Sequence, residues 1–179
     1  MGGETGTEAS IKPYALHEFV YRKMRARGIG SWVERTGPAP IDADCERFLA
    51  DVLAEPWVPK TGEVLEIGCG TAPILRWFVE RGYKGTGIDV SRTALRMARA
   101  ASKGYRIRFV QDDVCSDDLA GLGGFDICVD GLCLHCITDE GDRARLLKRV
   151  AGLLRPGGIF VVMTMCRPVD KSRWTEAFP

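Results

Sequence analysis

Short apolar runs alternate with amphipathic segments from about residue 60 to residue 164, a pattern typical of βαβ units around a parallel sheet. The apolar runs predict five strands, at residues 63–67, 85–89, 107–110, 125–130 and 159–164. The segments between them predict helices at residues 73–81, 91–102 and 139–154. The alternation indicates an α/β fold, a Rossmann-like and mostly parallel sheet with helices on both faces.

The amino-terminal part of the chain predicts two helices that pack outside this sheet. In the first, from Tyr14 to Arg27, apolar residues recur at helical spacing. These residues are Leu16, Phe19, Val20 and Met24. The second helix starts with Asp42 or Asp44 as its cap and ends at Pro56. Its predicted buried residues are Phe48, Leu49, Val52 and Leu53.

We therefore divide the chain into an amino-terminal helical segment, residues 1–58, and a Rossmann-like core, residues 59–179, within one structural domain. A chain of 179 residues is long enough for one such domain. The two helices are expected to form a lid over a ligand pocket and to carry aromatic side chains over it. The residues concerned are Tyr14, Phe19 and Trp32.

The charge of the chain is nearly balanced, with 25 basic and 24 acidic residues and a net charge of +1. Bulk charge therefore gives no reason to expect a nucleic acid or a membrane as partner. The segment YRKMRARG, residues 21–28, carries four cationic side chains, which we interpret as a solvated helix face. The chain has no apolar run of about 20 residues, and its first residues lack the order of a signal peptide. Seven cysteines at irregular spacing favour a reducing compartment, so we expect a cytoplasmic protein.

Candidate chemistry lies directly after the predicted strands, where ligands of open α/β sheets bind. The first strand runs into a G-x-G turn at Gly68 and Gly70, which brings backbone N–H groups close to a ligand. The second strand ends at Asp89, 21 residues beyond Gly68, where a carboxylate can accept hydrogen bonds from both hydroxyls of a ribose. After the third strand, Asp112 and Asp113 can accept from an adenine amino group. The joint placement of these groups points to a nucleoside-containing ligand.

With these motifs the chain resembles the class I S-adenosylmethionine-dependent methyltransferases, over about residues 60–166. The matching segments are VLEIGCGTAP, GIDVS, FVQDDV, FDICVDGLCLHCI and LLRPGGIFVV. The resemblance implies S-adenosylmethionine as cofactor, S-adenosylhomocysteine as product, and methyl transfer by direct displacement. It also implies a set of cofactor-binding residues: Glu66, Gly68, Cys69, Gly70, Asp89, Val90, Asp112, Asp113, Val114 and Asp130.

Within this set, the resemblance gives Glu66 the task of holding the glycine turn and makes Asp113 a better candidate than Asp112 for the adenine amino group. Ala72 is a departure, because the family often has a third glycine at that position. Alanine is also small, so cofactor binding is still expected.

Two other functions compete with methyl transfer. A nicotinamide-dependent oxidoreductase also opens with a G-x-G turn and a later acid, but Pro73 stands where its third glycine would fall. A module that binds the cofactor without transferring methyl is the second alternative. The cluster Cys133-Leu134-His135-Cys136 contains zinc-ligand types, but a structural site needs four ligands and His17 is remote in sequence, so no metal is expected.

For catalysis, the resemblance places His135 beside the methyl-transfer pocket, and its ordinary pKa of about 6.5 suits a proton acceptor. Asp130 is the alternative base, although shaping the pocket is its more natural role. The balanced charge favours a small-molecule acceptor over DNA or RNA, and the atom that receives the methyl group is left open.

The last prediction concerns the carboxyl-terminal end. The resembled fold has seven strands in the order 3-2-1-4-5-7-6, whereas only residues 165–179 follow the fifth predicted strand here. Strands six and seven do not fit in that length, given typical element and loop lengths. We therefore expect the fifth strand to lie at a sheet edge, covered by the tail or by a second copy in a homodimer, with the acceptor side partly open and activity weakened.

Overall fold

The structure is a computed structural model that describes residues 12–30, 32, 40–116 and 121–165. Its centre is a five-stranded sheet in the order β3-β2-β1-β4-β5, in which every neighbouring pair is parallel. The strands are β1 (Glu63–Ile67), β2 (Lys84–Asp89), β3 (Ile107–Gln111), β4 (Phe125–Gly131) and β5 (Leu154–Met163). The predicted α/β fold is confirmed.

Five α-helices accompany the strands in the described part of the chain. They are α1 (His17–Ala26), α2 (Ala43–Ala54), α3 (Pro73–Glu80), α4 (Arg92–Ala101) and α5 (Glu140–Leu153). A 3-10 helix, Pro13–Leu16, leads into α1, and another, Leu134–Cys136, follows β4. Side-chain caps start three of the helices, because Asp42, Ser91 and Asp139 accept hydrogen bonds from backbone N–H groups of the first turn. None of the described helices has the length and apolar character needed to cross a membrane.

Apolar side chains cover both faces of the sheet, since successive strand residues point to opposite sides. Val64 belongs to a cluster with Leu49 of α2 and Phe78 of α3. Its neighbour Leu65 belongs to a second cluster with Leu146 of α5. The helices therefore bury both faces and leave the carboxyl ends of the strands accessible for a ligand.

The rotation of α1 differs from the prediction. Three of its four predicted apolar residues face solvent, with Leu16 49%, Phe19 57% and Val20 36% exposed, whereas the fourth, Met24, is buried together with Tyr21. Polar contacts between this segment and the core hold the opposite face inward, among them the hydrogen bonds that Glu18 accepts from Ser91 and Thr93. The expectation that Phe19 lies over the pocket is wrong.

The fifth strand begins earlier than predicted, at Leu154 rather than residue 159. Leu154 pairs with Phe125 and Ile159 pairs with Ile127, so three extra residues of β5 bulge out between these two pairs. Pro156 and Gly157 lie in this irregular part, and Gly157 has a φ of 81°. Among the described strands β5 is at the sheet edge, while the predictions about residues 166–179, including the missing strands and the covered edge, fall outside the described residues.

Candidate functional site

A cavity of about 650 Å³ opens at the carboxyl ends of β1 to β4. It is lined by nine of the ten predicted cofactor-binding residues and by His135. The nine are Glu66, Gly68, Cys69, Gly70, Asp89, Val90, Asp112, Asp113 and Val114. Parallel pairing explains this convergence, since it brings the carboxyl ends of all four strands to one edge of the sheet.

The glycine turn after β1 forms the floor of the cavity. Gly68 and Gly70 have φ values of +60° and +51°, a backbone conformation that residues other than glycine rarely adopt. A Cβ on Gly68 would lie 2.5 Å from Cys133 Cβ and Sγ, and one on Gly70 would lie 2.4 Å from Tyr21 Oη. Glycine is therefore required at both positions by backbone conformation and by space.

Ala72 continues the same left-handed path with φ 58° and ψ 43°, immediately before α3 starts at Pro73. A third glycine would adopt this conformation without strain, which accounts for the family preference noted above. Here the methyl group is fully buried in the core, and its packing offsets part of the conformational cost.

The Asp89 carboxylate is oriented by backbone donors on both sides. One oxygen accepts from the Gly70 N–H at 2.8 Å and the other from the Ser91 N–H at 2.7 Å. Burial raises the pKa of this carboxyl, and these hydrogen bonds oppose the rise. Each oxygen retains acceptor capacity for a ligand hydroxyl, so the geometry suits the predicted contact with a ribose.

The two acids after β3, Asp112 and Asp113, differ in the number of hydrogen bonds that they accept from other protein groups. Asp113 Oδ2 accepts from Tyr14 Oη at 2.9 Å and from Lys12 Nζ at 3.3 Å, and its Oδ1 accepts from the Cys115 N–H at 2.8 Å. Asp112 Oδ1 accepts only the Asp113 N–H among described residues, at 2.8 Å. Asp112 therefore has more free acceptor capacity for an adenine amino group than Asp113, the reverse of the predicted preference.

Glu66 is buried beneath the glycine turn, where its Oε2 accepts from the Leu75 N–H at 3.2 Å. Burial raises the pKa of this carboxyl to about 8, although the Leu75 hydrogen bond and the Arg76 guanidinium lower it. Glu66 thereby ties β1 to the first turn of α3, across the glycine turn that lies between them.

Asp130 does not line the cavity, and its side chain is fully buried. Its Oδ1 accepts from the backbone N–H groups of Cys133 and Leu134, at 3.1 and 2.8 Å, while Oδ2 is buried and has no hydrogen-bond partner among the described residues. Burial raises its pKa to about 6. The structure thus places this carboxylate behind the cavity wall, where it holds the turn that carries His135 instead of contacting a cofactor or a substrate.

The two histidines of the chain meet at the far wall of this cavity. Cys136 Sγ lies 3.3 Å from His135 Nε2 and 4.0 Å from His17 Nε2, and all three residues line the cavity. Burial and the neighbouring His17 lower the pKa of His135, so its imidazole is neutral at pH 7 and able to accept a proton. The sequence does not indicate that His17 joins this cluster, because His17 lies 119 positions before Cys136.

Aromatic side chains of the amino-terminal segment close the cavity on this side. Trp32 packs edge-on against His17 and Tyr21, with ring centroids 5.6 and 5.4 Å apart, and its Nε1 donates to Tyr21 Oη at 3.1 Å. Tyr14 and Trp32 line the cavity as predicted, whereas Tyr21 was not foreseen. Within the described ranges, no group of three or more His, Cys, Asp or Glu side chains is arranged to hold a metal ion.

Comparison with known proteins places this arrangement in context. The family described as "Methyltransferase domain" matches residues 64–158. An uncharacterized methyltransferase of Mycobacterium tuberculosis is 32% identical over 119 residues, which cover 66% of this chain and 58% of the relative. A putative methyltransferase of Bacillus subtilis is 33% identical over 109 residues, covering 58% of this chain and 42% of the relative. The chain thus spans less than two thirds of the length of either curated relative.

Solved structures of methyltransferases also match this chain. An S-adenosylmethionine-dependent methyltransferase from Mesorhizobium loti matches with 30% identity and a TM-score of 0.55, covering 68% of this chain and 53% of that one. A Burkholderia thailandensis 1,6-didemethyltoxoflavin-N1-methyltransferase, solved with 1,6-didemethyltoxoflavin and S-adenosylhomocysteine, matches with 26% identity and a TM-score of 0.58, covering 83% and 60%. A TehB-like methyltransferase from Corynebacterium glutamicum, at 21% identity and a TM-score of 0.60, covers 89% of this chain and 79% of that one and shows the shared fold.

Proposed function

This chain belongs to the S-adenosylmethionine-dependent methyltransferase family, and on that premise we propose that it transfers the methyl group of S-adenosylmethionine to a small-molecule acceptor bound in the same cavity. The observation that carries the proposal is the convergence of the glycine turn, Asp89, Asp112 and His135 on one cavity. No two of these groups belong to the same loop, so their meeting is a property of the fold.

The residues present suit the cofactor. At Gly68 and Gly70 the lack of a Cβ lets Cys133 and Tyr21 pack directly against the turn, and both glycines line the cavity, where a ligand can approach their backbone. Asp89 would hold the ribose hydroxyls, and Asp112 with the Val114 backbone would hold the adenine. Glu66, beneath the turn, keeps the turn in its ligand-ready conformation through Leu75.

When bound, S-adenosylmethionine supplies a methyl group that its sulfonium already makes electrophilic, so the protein's main tasks are alignment and exclusion of water. The neutral His135 accepts the proton that a hydroxyl or ammonium acceptor must lose. Its ring position follows from the short helix Leu134–Cys136, whose backbone is held by Asp130. Asp130 therefore acts on the reaction by positioning this helix.

The acceptor would occupy the part of the cavity that the cofactor leaves free. That part has mostly apolar walls, formed by Trp32, Pro40, Ile41, Cys45 and Met165. Such walls suit a largely uncharged molecule. A small molecule, 1,6-didemethyltoxoflavin, is bound together with S-adenosylhomocysteine in the Burkholderia methyltransferase. We also propose that residues 12–30 together with Trp32 act as the lid of this site, since Tyr14, Tyr21 and Trp32 close it from one side.

Two measurements on the full chain test the proposal. Calorimetric titration with S-adenosylhomocysteine and with NADH should give binding of the first only, and binding of NADH alone would favour the oxidoreductase. Transfer of a labelled methyl group from the cofactor to a panel of hydroxylated and nitrogen-containing aromatic compounds should then give a labelled product. Binding without any product across the panel would favour the cofactor-binding module.

A further inference from the structure

The exposed apolar surface of this protein is concentrated around the site. Ten large apolar side chains are exposed in the described residues, and six of them lie beside α1 or on the rim of the cavity. Leu16, Phe19 and Val20 form a continuous patch, because positions i, i+3 and i+4 share one side of a helix. Trp32, Leu132 and Met165 line the cavity while about half of each side chain is exposed, so they form its apolar rim. A contiguous exposed patch of this kind marks an interaction surface more often than scattered single residues do.

Cations follow the apolar patch along the same helix. Arg22, Lys23, Arg25 and Arg27 occupy exposed positions of the last turns of α1 and its cap. In the part of the chain that the structure describes, Lys23, Arg25 and Arg27 make no ion pair. Glu18, the one acid of the helix, accepts hydrogen bonds from Ser91 and Thr93 of the core and forms an ion pair with Arg22. The outer side of α1 thus presents apolar side chains and several cations whose charge is not neutralised.

We propose that this outer side, the docking face formed by Leu16, Phe19, Val20, Lys23 and Arg27, binds the surface of an anionic lipid bilayer. Apolar side chains that enter the headgroup region, combined with neighbouring cations, are the features by which an amphipathic helix lies on such a membrane. Charge complementarity selects anionic lipid as the occupant. Leu16 and Val20 argue against nucleic acid, since aliphatic side chains offer bases no stacking surface.

The position of the docking face links it to the acceptor, an extension that depends on the proposed function. The inner side of α1 carries His17 and Tyr21, which line the cavity, so one ten-residue helix separates the docking face from the site. An acceptor dissolved in the bilayer would reach the cavity across the apolar rim without crossing water. The acceptor class is then a lipid-soluble compound that bears a methylatable hydroxyl or amine. This inference departs from the expectation of no membrane partner, which depended on bulk charge and on the lack of a spanning segment.

The experiment is co-sedimentation of the full chain with vesicles of phosphatidylcholine alone and of phosphatidylcholine containing about one third phosphatidylglycerol. The wild type should bind the anionic vesicles, and the affinity should fall as salt is raised. The double variant Leu16→Ser/Phe19→Ser should bind at least tenfold more weakly. Lys23→Glu/Arg27→Glu should lose binding to the anionic vesicles by a similar factor, because each cation contributes about fivefold.

Trp57→Ser is the matched control, since Trp57 is 65% exposed and does not line the cavity. It should bind vesicles like the wild type. Titration with S-adenosylhomocysteine identifies folded variants and tests the proposed function separately from the docking. The inference is overturned if the wild type does not bind anionic vesicles, if Trp57→Ser loses as much binding as the Leu16/Phe19 variant, or if that variant instead abolishes a concentration-dependent dimer of the wild type.

Discussion

Glu18 of α1 caps α4 from outside, because its carboxylate accepts hydrogen bonds from the backbone N–H of Thr93 at 3.0 Å and from the Thr93 hydroxyl at 2.7 Å. A third hydrogen bond, from the Ser91 hydroxyl at 2.7 Å, joins the same carboxylate to the residue that caps α4 internally. A side chain of the amino-terminal segment thus satisfies the first turn of a core helix. This contact sets the rotation of α1 and thereby directs His17 and Tyr21 toward the cavity.

Replacement of Glu18 by glutamine should therefore loosen the lid. Glutamine keeps one acceptor oxygen but loses the charge, so we expect a loss of about 1–2 kcal/mol in the free energy of unfolding. Weaker S-adenosylhomocysteine binding should accompany it. Glu140→Gln, a change on an exposed helix start, should alter stability by no more than about 0.5 kcal/mol. Urea titration of both variants provides the measurement, and equal effects would show that Glu18 is an ordinary surface residue.

The same contact predicts a pH dependence. Burial alone would raise the pKa of Glu18, but the hydrogen bonds from Thr93 and Ser91 lower it from 4.5 to about 2. A carboxyl with a lowered pKa in the folded protein stabilises it above pH 4.5 and loses that effect as the pH falls toward 2. The stability difference between wild type and Glu18→Gln should shrink over this range. A difference that stays constant between pH 5 and pH 2.5 would contradict the proposed state of the carboxylate.

The glycine turn offers a direct test of the cofactor cradle. In Gly68→Ala the new Cβ would collide with Cys133, so the turn or the wall must move, and binding of S-adenosylhomocysteine should weaken at least tenfold. Gly28→Ala is the control, because Gly28 has a similar φ of +68° but no atom lies within 4 Å of the point where its Cβ would stand. It should cost about 1 kcal/mol of stability and leave the affinity unchanged. Calorimetric titration distinguishes the two outcomes, and similar losses of affinity would assign the effect to backbone strain.

His135→Gln tests the proton acceptor. Turnover with the acceptor found in the methylation panel should fall about a hundredfold, while S-adenosylhomocysteine affinity stays within about twofold. The pKa of His135 is lowered, so the wild-type rate should decline only below pH 6.5, and this acid limb should be absent from the variant. In His17→Gln the rate should still decline at low pH, but the decline should begin at a higher pH, since His17 contributes to lowering the pKa of His135. Unchanged turnover in His135→Gln would remove this residue from the mechanism.

Asp130→Asn tests the buried carboxylate behind the turn. Burial raises its pKa from 3.8 to about 6, so the folded protein holds a proton that the unfolded chain releases, and stability decreases as the pH rises from 3.8 to 6. Asparagine does not titrate. The free energy of unfolding of the variant, measured relative to wild type, should therefore rise by about 2–3 kcal/mol between pH 4 and pH 7. Denaturant unfolding at both pH values measures the change. Parallel stability curves would mean that Asp130 ionises in the folded state as readily as in the unfolded chain.

Much of the core follows from local pattern. The predicted strand at residues 63–67 coincides with β1, and β2, β3 and β4 differ from prediction by no more than one residue at either end. Apolar runs and helix caps such as Ser91 are local signals, because they reflect the residue's own backbone preference and burial. The positions of Gly68, Asp89 and Asp112 after their strands follow for the same reason, since parallel strands bring these ends together.

Features that depend on packing between distant segments differ from the prediction. The spacing of the apolar residues does not predict that Phe19 is exposed, because α1 has apolar residues on two sides. Polar contacts with the core, here those of Glu18 and Tyr14, decide which side faces inward. Engagement of Asp113 by Tyr14 likewise joins residues 99 positions apart. The early start of β5 depends on pairing with β4, which accommodates a bulge that a turn motif does not reveal.

By itself, then, the sequence determined the order of the elements, the glycine turn and the carboxylates at the strand ends, because each follows from short-range periodicity and conformational preference. Only the tertiary structure decided which side of α1 faces the cavity, that His17 joins His135 and Cys136, and that Asp130 lies behind the wall. These outcomes depend on long-range hydrogen bonds and burial, whose energies are comparable to local preferences but whose partners lie about a hundred residues away.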